Sequence, residues 1–390
     1  MSGTRLAATT DTSSVRAPVA VVALVLALSA CGDANVRKPP HRLVAERLVV
    51  LPDGLIALAG IAASGASEDE GCRPGENAWD FFVARVSPRG RLLRTDVVKE
   101  TTLDRCGDLV IDARRGPAGR VDVSGWTIAP IPGSTHGPVD LSFAADGTTS
   151  HSFETAHRRW HYGLTAVAET ALPGGGRARM SALGYRKTLQ IQIERPNRPA
   201  VRTRTRPLPA NAQLYENWLY WYSLSADREG VYGSGPYTRG PDAPYYFPIF
   251  RHRLDGRLDR GFGGTGVVLA HPAGVRFYVT TQVFADRQGR ALAVGGGDVG
   301  DRRITYVMRF RPDGQLDDSF GDEGVVRLPL GRATEDNYAD TRAAIGVLPN
   351  GRIAVAGGIQ ARGSTLWLLH PGGTLDRSFG RNGRLVLSST

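Results

Sequence analysis

From Leu43 to the C-terminus, short apolar runs alternate with polar stretches marked by Gly and Pro, and almost nowhere do apolar residues recur at the helical period of 3.6. The first stretch shows the pattern most clearly. Leu43–Leu51 and Leu55–Ile61 read as strands joined across Pro52, Asp53 and Gly54. Asp80–Val86 and Leu92–Lys99 read as two more, joined by a tight turn from Ser87 to Gly90. Together they predict one four-stranded antiparallel unit.

The marker of the first hairpin recurs. Leu51 to Gly54 (LPDG) and Leu348 to Gly351 (LPNG) are its clearest copies, each followed by an apolar run ending in Gly. Weaker copies stand at Gly116 to Gly119, Leu172 to Gly175, Asp227 to Gly230 and Asp286 to Gly289, which brings the count to six. Six consecutive four-stranded units predict an all-β chain closed radially into a six-bladed β-propeller, with seven blades or an open β-repeat array as alternatives.

Near the C-terminus three segments superimpose without gaps: Leu254 to Gly266 (LDGRLDRGFGGTG), Pro312 to Gly324 (PDGQLDDSFGDEG) and Pro371 to Gly383 (PGGTLDRSFGRNG). Their Phe262, Phe320 and Phe379 recur at a spacing close to 60 residues. These segments resemble the signature of the delta-60 repeat family, bacterial repeats of exported proteins. The resemblance implies a propeller-like array and no shared catalytic residues. It covers about Arg251 to Thr390, with Gly261 standing in for Ser and Gly372 for Asp. The chemistry of the motif is structural: Asp259, Asp317 and Asp376 suit Asx-type turns, and the three phenylalanines suit the space between neighbouring sheets.

The first 31 residues read as a processing signal. The apolar run Ala17 to Ala30 would span only ~21 Å as a helix, short of a bilayer core. It ends in Leu28 to Gly32 (LSACG), which looks like a bacterial lipobox and makes Cys31 the expected site of lipidation. The expected organisation is a signal peptide over residues 1–30, an acylated Cys and tether over 31–42, and one propeller over 43–390. The expected location is the cell envelope, anchored to a membrane through the N-terminal lipid and facing the periplasm or the exterior.

The net charge of +10 comes almost wholly from Arg, since Lys occurs only at Lys38, Lys99 and Lys187. An exported chain meets little nucleic acid, so that partner is excluded. A run of Arg from Arg195 to Arg206 reads as a solvated strand and turn, or as a contact for acidic lipids or glycans. Cys72 and Cys106 form an even pair in an oxidising compartment and are expected to be bonded to each other, adding about 3–4 kcal/mol.

Alternating strand order sends the connections two–three and four–one to one face, where several are long. Tyr237, Tyr245 and Tyr246 fall there as possible ligand-binding aromatics. His157 and His161, in the segment His151 to Tyr162, are possible polar ligand contacts. No nucleophile elbow, zinc signature, phosphate loop or dinucleotide fingerprint occurs, so no cofactor, metal or catalytic residue is assigned. The favoured reading is therefore a non-catalytic binding or scaffold module for a protein or glycan. Its rival is an exported propeller hydrolase, lyase or oxidoreductase. Charged side chains converging on the central channel would favour the rival; an inert lining of Val, Ala and Gly would favour the module.

Overall fold

A computed structural model describes residues 42–63, 79–98, 109–127, 137–153, 164–183, 188–205, 213–214, 222–238, 245–269, 271–333, 341–359 and 363–387. Cys31, Cys72, Cys106, His157 and His161 lie outside these residues. Blade 1 consists of β1 (Arg42–Val50), β2 (Ile56–Ala63), β3 (Trp79–Val86) and β4 (Leu92–Val98). Blade 2 consists of β5 (Leu109–Arg115), β6 (Val121–Thr127), β7 (Gly137–Phe143) and β8 (Thr149–Phe153). Blade 3 consists of β9 (Leu164–Ala171), β10 (Arg177–Leu183), β11 (Thr188–Glu194) and β12 (Val201–Thr205).

A short strand, β13 (Gln213–Leu214), then precedes blade 4. That blade is built from β14 (Ser223–Ala226), β15 (Gly230–Ser234), β18 (Pro248–Arg253) and β19 (Val267–Leu269). Between its second and third strands, β16 (Tyr237–Thr238) and β17 (Tyr245–Tyr246) join β13 in a small separate sheet. Blade 5 is β20 (Arg276–Ala285), β21 (Ala291–Val299), β22 (Arg302–Phe310) and β23 (Val325–Arg332). Blade 6 is β24 (Thr341–Val347), β25 (Ile353–Ile359), β26 (Gly363–Leu369) and β27 (Arg384–Val386).

The six sheets stand in a ring, and the architecture is the expected six-bladed propeller. First strands meet around the axis in the order β1, β5, β9, β14, β20, β24 and back to β1. All six hairpin markers sit at the turn between first and second strands, each closed by a backbone hydrogen bond, as from Leu51 N to Leu55 O at 2.9 Å. Gly54, Gly289 and Gly351 take φ of +77°, +73° and +82° there, which explains why the markers end in Gly.

Apolar side chains of facing sheets fill the wedges. Buried clusters join blades 1 and 2, 3 and 4, 4 and 5, 5 and 6, and 6 and 1. Among the described residues none joins blades 2 and 3, where ionic contacts take over.

The repeated C-terminal motif explains how neighbours lock. Phe262, Phe320 and Phe379 are completely buried. The Gly after each Phe donates its N–H to a turn of the next blade: Gly263 to Asp313 O at 2.7 Å, Gly321 to Gly372 O at 2.8 Å and Gly380 to Arg89 O at 2.9 Å. The last of these closes the ring from blade 6 to blade 1. Asp259 accepts from Gly261 N, Asp317 from Ser319 N and Asp376 from Ser378 N, all Asx-type contacts. Asp259 and Asp317 also pair with a buried Arg on the third strand of their blade, Arg251 at 3.1 Å and Arg309 at 2.7 Å.

No strand is shared between the two ends of the chain. Blade 1 and blade 6 each draw all four strands from their own stretch, and side chains make the remaining closure. Ala45 N donates to Ser364 Oγ at 2.9 Å, and Arg342 Nε to Glu46 Oε1 at 3.0 Å.

Candidate active site

The inner strands are not regular. Four of the six carry a β-bulge at the same height, leaving Glu46 in β1, Ile111 in β5, Val167 in β9 and Thr281 in β20 without a partner on the second strand. A bulge re-aims the side chains around it, and such features gather beside functional sites. The residues following the bulges are Arg47, Asp112, Ala168 and Gln282. Three of these four are polar, on strands whose alternation would otherwise be apolar.

The charged members belong mainly to blades 1 to 3. Glu46 is almost wholly enclosed, and its Oε2 accepts from Val110 N of blade 2 at 2.8 Å while Oε1 accepts from Arg342 of blade 6. One carboxylate thus ties three blades together. Arg47 donates to Glu46 O at 2.8 Å. Burial holds its guanidinium below the ordinary value, the charges of Glu46 and Asp112 oppose that shift, and Arg342 adds to it.

Asp112 and Glu169 converge on Arg114. The Arg114 Nε lies 3.0 Å from Asp112 Oδ2, and its NH1 donates to Glu169 Oε1 at 3.0 Å. Both carboxylates are thereby held at most roughly 8 Å apart, since one guanidinium fork makes both contacts. Glu169 Oε2 accepts a second guanidinium, Arg179 Nε, at 2.5 Å.

Asp112 differs from its partner. Its Oδ2 is buried and, among the described residues, no aligned hydrogen bond reaches it. The side chain keeps 21% of its surface accessible, yet desolvation is the strongest influence on it. That desolvation pushes its carboxyl above the usual range, assisted by Glu169 and opposed by Arg114, Arg47 and the N–H of Ala113.

Across the ring the inner strands carry Ser223, Thr281, Gln282, Ala343 and Ala344 at the same level, with the two alanines packed in the clusters between blades. Most of their polar groups are used in blade-to-blade contacts: Ser223 Oγ accepts from Val283 N at 3.1 Å, and Gln282 Oε1 from Ile345 N at 2.8 Å. The axis is thus asymmetric, charged on one side and small or satisfied on the other. Among the described residues no group of three or more His, Cys, Asp or Glu could hold a metal ion.

Sequence reasoning looked elsewhere for the site. Tyr237, Tyr245 and Tyr246 do come together, with Tyr237 opposite Tyr246 in the accessory sheet and Tyr245 opposite Thr238. Asp259, Asp317, Asp376 and their phenylalanines stand between blades, away from the axis. Glu46, Asp112 and Glu169 were not picked out. The signal was available in β1 and β5, where Glu46–Arg47 and Asp112 interrupt apolar runs near the middle of a predicted strand.

No protein-family model matches the chain, and no curated protein matches it. Solved structures do. The NanB sialidase of Streptococcus pneumoniae, in complex with 2-[(3-chlorobenzyl)ammonio]ethanesulfonate, superimposes with a TM-score of 0.51 at 10% identity, covering 83% of this chain and 66% of the sialidase. This chain therefore spans just under two thirds of that protein. A Penicillium chrysogenum α-L-arabinanase complexed with arabinobiose gives a TM-score of 0.45 at 14% identity, covering 87% of this chain and 97% of that one. A sucrose-6-phosphate hydrolase of Lactobacillus gasseri gives 0.44 at 11% identity, covering 94% and 84%.

At these identities the likeness describes a shared fold. It corrects one expectation all the same. The favoured reading, a non-catalytic binding or scaffold module, is corrected in favour of its rival: the structure that superimposes with a TM-score of 0.51 is a sialidase, and carboxylates and guanidiniums gather on the inner strands of blades 1 to 3.

Proposed function

We propose that this chain is an exported propeller hydrolase that cleaves glycosidic bonds at the ring axis, with Asp112 as general acid and Glu169 as its carboxylate partner. The observation that carries the reading is a pair of acids sharing Arg114 in unlike surroundings. Glycoside hydrolysis uses two carboxyl groups flanking the scissile bond, one kept protonated and one ionised. Asp112 has the environment of the first: its Oδ2 lacks an aligned hydrogen bond and desolvation raises its pKa. Glu169 accepts from two guanidiniums, those of Arg114 and Arg179, a setting that suits a base or nucleophile. The sialidase likeness supports a glycan as the ligand class, and the Leu28-to-Cys31 pattern supports export and lipid anchoring at the cell envelope.

The test is hydrolysis of a panel of aryl glycosides and polysaccharides by the chain, compared with Asp112→Asn and Glu169→Gln. Activity should fall by 10²-fold or more in each variant. Activity of the unaltered chain should decline as pH rises through the raised pKa of Asp112, because the acid must hold its proton. Asp112→Asn should also raise the unfolding midpoint at neutral pH, since a desolvated acid of raised pKa is replaced by a neutral amide. Full activity in both variants would sink the proposal, as would an inactive chain across the panel.

A further inference from the structure

A cavity lies between blades 5 and 6 on the face of the hairpin turns. Its volume is about 480 Å³, within the range of small-molecule sites. The walls combine an apolar part, including Phe284, Leu292 and Leu348, with the guanidiniums of Arg287, Arg290 and Arg309. Asp286 is the one carboxylate in the lining and pairs with Arg290 at 2.7 Å, while Arg309 pairs with Asp317 just outside it at 2.7 Å, so three guanidiniums meet two carboxylates.

The neighbouring interface shows what such a space accommodates. Tyr232 in blade 4 pairs with Arg251, and Leu292 in blade 5 pairs with Arg309, so the two hold matching places in successive blades. Tyr232 crosses to blade 5 and donates its hydroxyl to Gly289 O at 2.8 Å. Its ring lies under the Arg251 guanidinium at 5.2 Å and meets Phe262 edge-on at 5.7 Å. One blade further, Leu292 is too short to make that crossing. Gly351, the counterpart of Gly289 with the same left-handed backbone, lines the cavity together with Arg309. Arg309 stacks instead on Phe320, at 4.5 Å.

We infer that the cavity between blades 5 and 6 is a binding site for a hydroxyaryl acid, a phenolic ring bearing a carboxylate. The ring would take the place that Tyr232 fills in the preceding interface, with its hydroxyl donating to Gly351 O. The carboxylate would answer the one guanidinium in excess, through Arg290, which stays 27% exposed while paired with Asp286. Burial lowers the Arg309 pKa and the like charge of Arg290 adds to that, while Asp317 and Asp286 oppose it.

The experiment is calorimetric titration of the whole chain with 4-hydroxybenzoate, with benzoate and phenol as truncated probes. Saturable binding is expected, at least several-fold weaker for each truncated probe. Leu292→Tyr should restore the internal plug and reduce affinity tenfold or more, and a cooperative melt will establish that it folds. Arg290→Gln should weaken 4-hydroxybenzoate several-fold and leave phenol unchanged. Absence of saturable binding into the millimolar range overturns the inference. So does unchanged affinity in a folded Leu292→Tyr; if that variant does not fold, unchanged affinity in Arg290→Gln decides against it.

Discussion

A histidine at position 252 fills the slot that Phe310 and Leu369 fill in the two following blades. All three make the same isolated bridge to the Leu of their motif, Leu258, Leu316 and Leu375. His252 is buried, its Nδ1 lies 2.9 Å from Gly256 O, and desolvation holds its pKa below 6.5 against that hydrogen bond. The unfolded chain therefore takes up the proton first. Stability is complete above about pH 6.5 and is lost as pH falls below that value toward the lowered folded one. Denaturant midpoints at about pH 7.5 and pH 5 should show this loss, and His252→Phe should remove it selectively; an equal slope in the variant would refute the assignment. The same desolvation acts with opposite sign on Asp112, beside a second acid and a shared guanidinium.

Turns, strands and motif copies were readable because they are local: a Pro or Asp, then a Gly at positive φ, flanked by β-formers, fixes a hairpin wherever it occurs. The four strands expected for the first unit match β1 to β4 to within a residue or two at most ends. The bulges were not readable, because a bulge is a relation between two strands and leaves only a doubled polar step in one of them. The site was illegible for the same reason one level up, since Asp112 and Glu169 meet only after two blades are packed. The accessory sheet of β13, β16 and β17 was likewise hidden, as two-residue strands carry no periodicity.

The motif makes its own prediction at this scale. Phe320 is a plug lying against Arg309 and under the next blade, so Phe320→Ala should cost about 3–5 kcal/mol in equilibrium unfolding. A loss below about 1 kcal/mol would mean that the glycine-to-turn hydrogen bonds hold the interface without it.

At the scale of the ring, the interface that joins the chain's two ends is built like its neighbours. It has a buried apolar cluster, a Phe plug and the same glycine-to-turn hydrogen bond. Leu387 N donates to Ser364 O at 2.8 Å, and Ser364 Oγ accepts from Ala45 N, so both ends meet on one serine. A circular permutant opened near residue 270, between blades 4 and 5, with a short Gly/Ser linker joining the original ends of the mature ring, should fold with a melting temperature within a few degrees of the parent. A permutant that aggregates or melts in two steps would show that the seam is special after all. Linear repeat proteins must finish each end with an atypical, polar-faced unit, because an end unit has one neighbour. Here every blade has two, and none is free to be an end. Separating any of the five interfaces with a buried apolar cluster therefore turns two interior blades into ends at once, each with an apolar face its sequence was never built to show to water, and the array gives way as a whole where a straight one would fray.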